Sequence, residues 1–316
     1  MAETVTVQRN RSGSSRGGEH RARRGNLRKQ IWRCRVLYLM LLPPVIAVFI
    51  FHYVPIYGVQ IAFRDYRTSK GILGSEWVGL KYFKQFIQYP YFGKIMRNTI
   101  RISLYCLVTF PIPILFSIQL DELRSQKFKK VSQMITYAPH FVSTVVVCSM
   151  IILFLDSDGL IGRLVGSNLM SKPSWFAPVY AISDLWQGLG WGTIIYLATL
   201  AGISMELVEA AEIDGAGRMQ IIRYVKLPHL RSTIITLFLL KVGQLISVGF
   251  EKTFLLQNSL NMDASSIIST YVYEVGITNH QFSYSAAIGL FNNVINIILV
   301  VTANTIAKRF SETSLW

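Results

Sequence analysis

Acidic residues are scarce in this chain: 17 Asp plus Glu stand against 32 Lys plus Arg in 316 residues, and long stretches carry no charge at all. The apolar runs hold a single carboxylate, Asp184, which reads as lying near the end of one of them. An ion-coupled secondary transporter, the alternative function for such a chain, would want mid-span carboxylates and an internal repeat, and the two halves do not visibly repeat. Cysteine is limited to Cys34, Cys106 and Cys148, with no CxxC spacing, which excludes a disulfide framework and a thiolate metal site. The five histidines are scattered, with no HExxH pair, so no metal ligand set is expected. There is no GxxxxGK[ST] to cradle a nucleotide and no GxSxG nucleophile elbow. The chain therefore reads as a non-enzyme that binds no cofactor itself, and any ATP chemistry belongs to another polypeptide.

Hydrophobic residues are abundant, at 51% of the chain. At roughly 20 apolar residues per span, the runs predict transmembrane helices near 36–63, 98–120, 134–155, 178–203, 230–250 and 284–307. The expected fold is an all-α polytopic membrane protein of six transmembrane helices, one membrane domain over 36–307. Pro43, Pro44 and Pro55 in the first run are tolerable as kinks where neighbours satisfy the freed carbonyls. Segments 1–35, 121–133, 204–231 and 308–316 carry 10, 4, 4 and 2 Lys or Arg, against 7, 2 and 1 in loops 64–97, 156–177 and 251–283. The positive-inside bias then places both termini, and the loop 204–231, in the cytoplasm. Residues 1–35 read as a basic, disordered cytoplasmic tail. Anionic lipid headgroups are its sharper partner; no aromatic residue interleaves its basic residues before Trp32, which argues against nucleic acid. Residues 308–316 read as a short cytoplasmic tail.

The densest signal is EAAEIDGAGRMQIIRYVKLP, residues 209–228, lying between two membrane-length runs. Leu207 to Glu212 predicts one or two helical turns whose Ala210 and Ala211 permit close approach by another surface. Gly215 and Gly217 permit a turn that a side chain would block, and Pro228 marks where the next span begins. The pattern of Glu209, Ala210, Ala211, Gly215, Leu227 and Pro228 resembles the cytoplasmic signature of permease subunits of binding-protein-dependent ABC importers, with Val225 where the family usually has Ile. Further runs are similar to the sugar-importing branch of these permeases, closest to members that carry complex oligosaccharides: FHYVPIYGVQIAFRDY at 51–66, WVGLKYFKQF at 77–86, GFEKTFLLQN at 249–258, ISTYVYEVGI at 268–277, FSYSAAIGLFNNVINIILVVTAN at 282–304 and the terminal RFSETSLW.

The resemblance implies a cytoplasmic coupling helix between spans 4 and 5 that docks in a groove of an ATPase. ATP-driven closure of two ATPases would then switch the pathway from outward to inward access. Glu209, Ala210, Ala211 and Gly215 are expected to carry that coupling, flanked by Asp214 and Arg218 and closed by Leu227 and Pro228. Glu209 would make a charge-assisted contact to the ATPase; its alternative role is to cap the loop helix. The implied partners are a second homologous permease chain, two cytoplasmic ATPase subunits holding ATP and Mg, an extracytoplasmic solute-binding protein and an oligosaccharide, all at the lipid bilayer of the cell membrane.

Sugar recognition needs aromatic faces and amide or hydroxyl groups in an otherwise apolar path. Trp186, Gln187, Trp191 and Tyr196 in the fourth span, Gln244 in the fifth, and Asn292, Asn293 and Asn296 in the last are the candidates. Asn292 and Asn296 share a helical face. Interhelical hydrogen bonding and interfacial anchoring are the alternative roles of all eight, and snorkelling is the expected role of Arg101 and Lys241, which sit near span ends.

Overall fold

A computed structural model describes residues 32–310. Its contacts divide the chain into two units, 1–59 and 60–316. The predicted N-terminal tail up to residue 31 and residues 311–316 lie outside the described residues.

In the first unit, α1 (Arg35–Val48) carries Pro43 and Pro44 and is apolar all round, the signature of a helix surrounded by lipid or protein rather than water. It runs on through a π-helical turn, Phe49–Tyr53, and 3-10 turns, Val54–Phe63, giving a continuous apolar helix of 29 residues.

The second unit opens with a small hairpin. Strands β1 (Arg64–Arg67) and β2 (Ser75–Trp77) pair antiparallel with Arg64 opposite Trp77, and a short helix, α2 (Lys81–Ile87), follows. The next span is made of α3 (Phe92–Val108) and α4 (Pro111–Asp121), a run of 30 residues. Then come the amphipathic α5 (Gln126–Tyr137), α6 (Thr144–Leu155), α7 (Phe176–Leu200) and the short α8 (Met205–Ile213), which leaves α7 at 74°. Helix α9 (Leu227–Gly243) is followed by α10 (Phe250–Leu256), α11 (Ile268–Tyr273) and the long α12 (Phe282–Phe310).

Four helical runs are long and apolar enough to cross a membrane, Arg35–Phe63, Phe92–Asp121, Thr144–Val165 and Phe282–Arg309, with the bent pair of α7 and α8 as a fifth candidate. The fifth expected span, 230–250, corresponds to α9, whose 17 residues end at Gly243 before the chain turns. The expected third span, 134–155, is placed differently: residues 134–137 close α5, 3-10 turns occupy Ala138–Phe141, and the span helix starts at Thr144, capped by the Ser143 hydroxyl. Pro139 lacks the N–H that would carry α5 onward. At the C-terminus, α12 runs helical through 308–310, where a tail was expected.

Three apolar clusters hold the second unit. Ile114 and Ile118 of α4, Tyr196 and Leu200 of α7 and Leu230 of α9 form the one that matters most for the site. Burying each such side chain contributes about 1.5–3 kcal/mol where water is the reference. Helices α5 and α7 meet at Gly190, where a Cβ would lie 2.3 Å from the Thr136 carbonyl oxygen, so only glycine allows the approach. Leu153, Val108, Ile297 and Ile298 stay exposed on the outside, an apolar exterior that suits lipid.

Candidate functional site

Two regions carry function-bearing side chains. The first is the loop helix α8. Ser204 precedes it in extended conformation, Glu206 places a carboxylate in its first turn, and the Gly215 N–H donates to the Glu212 carbonyl at 3.0 Å to close it. Gly215 has φ +84°, the left-handed conformation that favours glycine, and the Ala216 N–H returns to the Ala211 carbonyl at 2.9 Å. Next, the Gln220 side chain accepts from the Gly217 N–H at 2.7 Å and starts the turn Arg218–Ile221. Pro228 sits in the first turn of α9 beside Leu227, where its missing N–H is harmless.

Glu209 is the fifth residue of α8, too far in to cap it, and is exposed with no hydrogen bond or ion pair among the described residues. The capping role therefore falls away. Ala210 and Asp214 are exposed, and Met205, Leu207 and Ile213 leave most of their surface uncovered, Ile213 87% of it. Arg218 stays exposed but reaches Glu122: its Nε lies 3.2 Å from Glu122 Oε2, and its Nη2 donates to the Glu122 carbonyl.

The second region is a cavity of about 470 Å³ between α3, α4, α7 and α9, adjoining a smaller one of about 190 Å³. Trp191, Tyr196 and Gln244 line it, so three predicted pathway residues from two spans come together. Trp191 is stacked on His140 with ring centres 4.5 Å apart and planes within 5°. The other five predicted residues go elsewhere. Trp186 lines a separate, almost wholly apolar pocket, and Gln187 donates to the Val142 carbonyl at 3.1 Å across the break before α6. Asn296 is buried, accepting from the Ile246 N–H and donating to the Ser247 hydroxyl, which ties α12 to the turn after α9. That is the interhelical role, forced by the strong preference of buried amides for partners. Neither Asn292, whose carbonyl oxygen is buried without a partner among the described residues, nor the exposed Asn293 borders the cavity.

Asp184 and Lys241, which the sequence reading set aside, line this cavity, and Lys252 stands behind Asp184. Asp184 lies eight residues into α7, about 12 Å along the axis, not at a span end, and lines both chambers. Lys252 reaches it from α10, Nζ to Oδ1 3.7 Å, and stands over the Tyr180 ring at 5.3 Å. The Lys252 ammonium is buried without a hydrogen bond among the described residues, so the ion pair and the ring face supply its stabilisation. Lys241 also lines both chambers, is exposed to them, and forms no ion pair among the described residues; it faces the cavity rather than snorkelling. The Asp184–Lys252 pair is neutral, which leaves the Lys241 charge uncompensated. A carboxylate already held by an ammonium is also poorly suited to bind a coupling proton or Na⁺, which weighs against secondary transport. A helical stripe, Asp184, Gly188, Trp191, Ile195, was the available signal, since these positions share one face of α7.

Residues 86–312 match the family model described as "Binding-protein-dependent transport system inner membrane component". The chain is 42% identical over 292 residues to protein LplB of Bacillus subtilis, covering 90% of this chain and 92% of that protein. It is also 42% identical over 290 residues to the polygalacturonan/rhamnogalacturonan transport system permease protein YteP of the same organism, covering 89% and 90%. Among solved structures it superposes with TM-score 0.81 and 34% identity on a chain of a bacterial ABC transporter involved in import of the acidic polysaccharide alginate, covering 90% of this chain and 99% of that one.

Proposed function

Because the chain belongs to the family of inner-membrane components of binding-protein-dependent transport systems, we propose that it lines half of the route by which an acidic oligosaccharide enters the cell, and that α8 couples that route to an ATPase. The chain is a permease subunit of an ABC importer and not an enzyme. It works in a multi-pass membrane complex with a second permease chain, two ATPases that hold ATP and Mg, and an extracytoplasmic solute-binding protein. In this reading the termini and α8 face the cytoplasm, an orientation supported by the charge asymmetry of the loops.

The observation that carries the substrate assignment is Lys241, a cation with no ion pair among the described residues, on the wall of a cavity whose lining carboxylate, Asp184, is already paired with Lys252. Its chambers, about 470 and 190 Å³, fall together in the usual range for ligand pockets, about 300–1,000 Å³. Trp191 and Gln244 offer an aromatic surface and an amide suited to a pyranose ring, while the ammonium suits a uronate carboxylate. Two of the relatives carry acidic polysaccharides in their descriptions, polygalacturonan and alginate, in keeping with this chemistry.

For α8, support comes from its surface: uncovered Met205, exposed Glu209 and uncovered Ile213 share one face, flanked by small Ala210, and Leu207 is uncovered on the other side, with no hydrogen bond or ion pair to Glu209 among the described residues. The test is uptake by the complete transporter in proteoliposomes. Galacturonate oligomers should be imported in preference to neutral gluco-oligosaccharides, and Lys241→Gln should raise the concentration needed by about tenfold for the acidic sugar only. Equal loss for acidic and neutral sugars, or none for either, would refute the charge reading. Glu209→Lys tests the coupling half, and should release the ATPases and abolish import.

A further inference from the structure

The cytoplasm-facing end of α4 carries adjacent carboxylates, Asp121 and Glu122, and three cations from two other segments converge on them. Lys226 donates to Asp121 Oδ2 at 2.7 Å and to Glu122 Oε1. Arg218 approaches Glu122 at 3.2 Å, and Lys129 of α5 approaches Asp121 at 3.8 Å. The Lys226 side chain is only 11% exposed, whereas that of Arg218 is 67% exposed. Lys226 is therefore the shielded centre of the cluster, where salt screens least. Burial opposes its charged form, but the hydrogen bonds and charges of Asp121 and Glu122 outweigh that and hold its pKa above the ordinary lysine value. It is a cation under all working conditions.

Its place in the chain gives the cluster a direction. Lys226 ends a π-helical turn, Ile222–Lys226, that follows α8 and leads straight into α9. Such turns insert an extra residue and re-aim the side chains around them, and they concentrate at functional sites. From Lys226 the path continues through Asp121 into α4. There Ile114 and Ile118 pack on Tyr196, and Pro113 lines the cavity. We infer that Lys226, clamped by Asp121 and Glu122, is the pin through which movement of α8 is transmitted to the α4 wall of the cavity. Without it the link from the loop to α4 is left to the solvent-exposed Arg218–Glu122 pair, beside the chain path through α7 and α9. Lys226 is a positioning residue: it touches neither sugar nor nucleotide. The inference rests on the coupling role of α8 proposed above.

The experiment uses the assembled transporter in nanodiscs and proteoliposomes, reading ATPase retention, ATP hydrolysis with and without sugar-loaded binding protein, and sugar imported per ATP. Lys226→Met leaves two neighbouring carboxylates facing each other, so the triple variant Lys226→Met/Asp121→Asn/Glu122→Gln, which removes all three charges, is measured beside it. Both should retain the ATPases and hydrolyse ATP within about twofold of the basal rate, while import per ATP falls by about tenfold and stimulation by loaded binding protein disappears. Lys226→Arg should restore both readouts. The inference is overturned if the triple variant imports sugar per ATP as the parent does, or if it assembles no ATPase, since a pin is not needed for assembly. Glu209→Lys separates this from the coupling role itself: if that variant binds ATPase and imports normally, α8 is not the coupling element, whatever the Lys226 variants do.

Discussion

Removing one member of the Asp184–Lys252 pair should have an asymmetric effect that follows from exposure. The two charges are 3.7 Å apart, and the side chains are 44% and 6% exposed respectively. At an effective dielectric of about 20, their attraction is about 4 kcal/mol. Asp184→Asn takes the anion from an ammonium that cannot reach water, so the loss should be about 3 kcal/mol, the lower end of what breaking a buried pair costs. Lys252→Met leaves a carboxylate that the open cavity can hydrate, and should lose about 1 kcal/mol. With both replaced, nothing charged is left buried, and stability should return to within about 1 kcal/mol of the parent. Reversible unfolding by SDS in mixed micelles, followed by circular dichroism, measures all four proteins. The reasoning fails if Lys252→Met is as damaging as Asp184→Asn, or if the double variant is no more stable than Asp184→Asn.

Gly190→Ala drives a methyl into the Thr136 carbonyl and should destabilise the α5–α7 contact by about 1–3 kcal/mol in the same unfolding assay, despite alanine's better helix propensity. Gly215→Ala places a side chain at φ +84° and should cost about 1–2 kcal/mol of local order, seen as faster hydrogen exchange in residues 205–217, while Gly215→Asn should be milder. Between α2 and the hairpin, the Tyr82 hydroxyl donates to Asp65 of β1 at 2.6 Å. That bond is the main reason the Asp65 carboxyl lies below its ordinary value of 3.8, and burial with this bond raises Tyr82 to about 12. A depressed carboxyl stabilises the folded form above its unfolded pKa and loses that contribution as pH falls through its folded value. Trp77 fluorescence should therefore report hairpin loosening only in acid below about pH 4, a transition that Tyr82→Phe should remove.

The loop helix was legible because its signals are local. Two alanines, a glycine that must turn left-handed and a leucine–proline start all act within a few residues, and helix, turn and restart fall in that order. Residues 134–155 misled for the opposite reason: the apolar run is continuous across Tyr137 and Val142, and composition does not register that Pro139 breaks the helix there. The cavity was half legible. Trp191, Tyr196 and Gln244 have the chemistry of sugar contacts and line it, whereas Asn296 has the same chemistry and spends it on Ile246 and Ser247. Nothing in residue type separates those cases; only the packing of α12 against the turn after α9 does. Asp184 and Lys241 were misread as peripheral because span limits drawn from hydropathy do not say which face of a helix meets a neighbour.

The two charge clusters suggest different solutions to one constraint. A charge inside a membrane protein must be neutralised or used. At the cavity, Asp184 is answered by Lys252 and Lys241 is left over, which is how a site can attract an anion without holding a fixed countercharge of its own. At the end of α4 the arithmetic differs: Asp121 and Glu122 face Lys226, Arg218 and Lys129, and every charge has an opposite within 4 Å. A satisfied cluster binds nothing new, but it holds its segments together against force, because parting any one pair exposes charge that the others cannot fully compensate. Under the proposed function, the Lys241 charge in the cavity serves recognition and the closed cluster at the end of α4 serves transmission, joined by the length of α4.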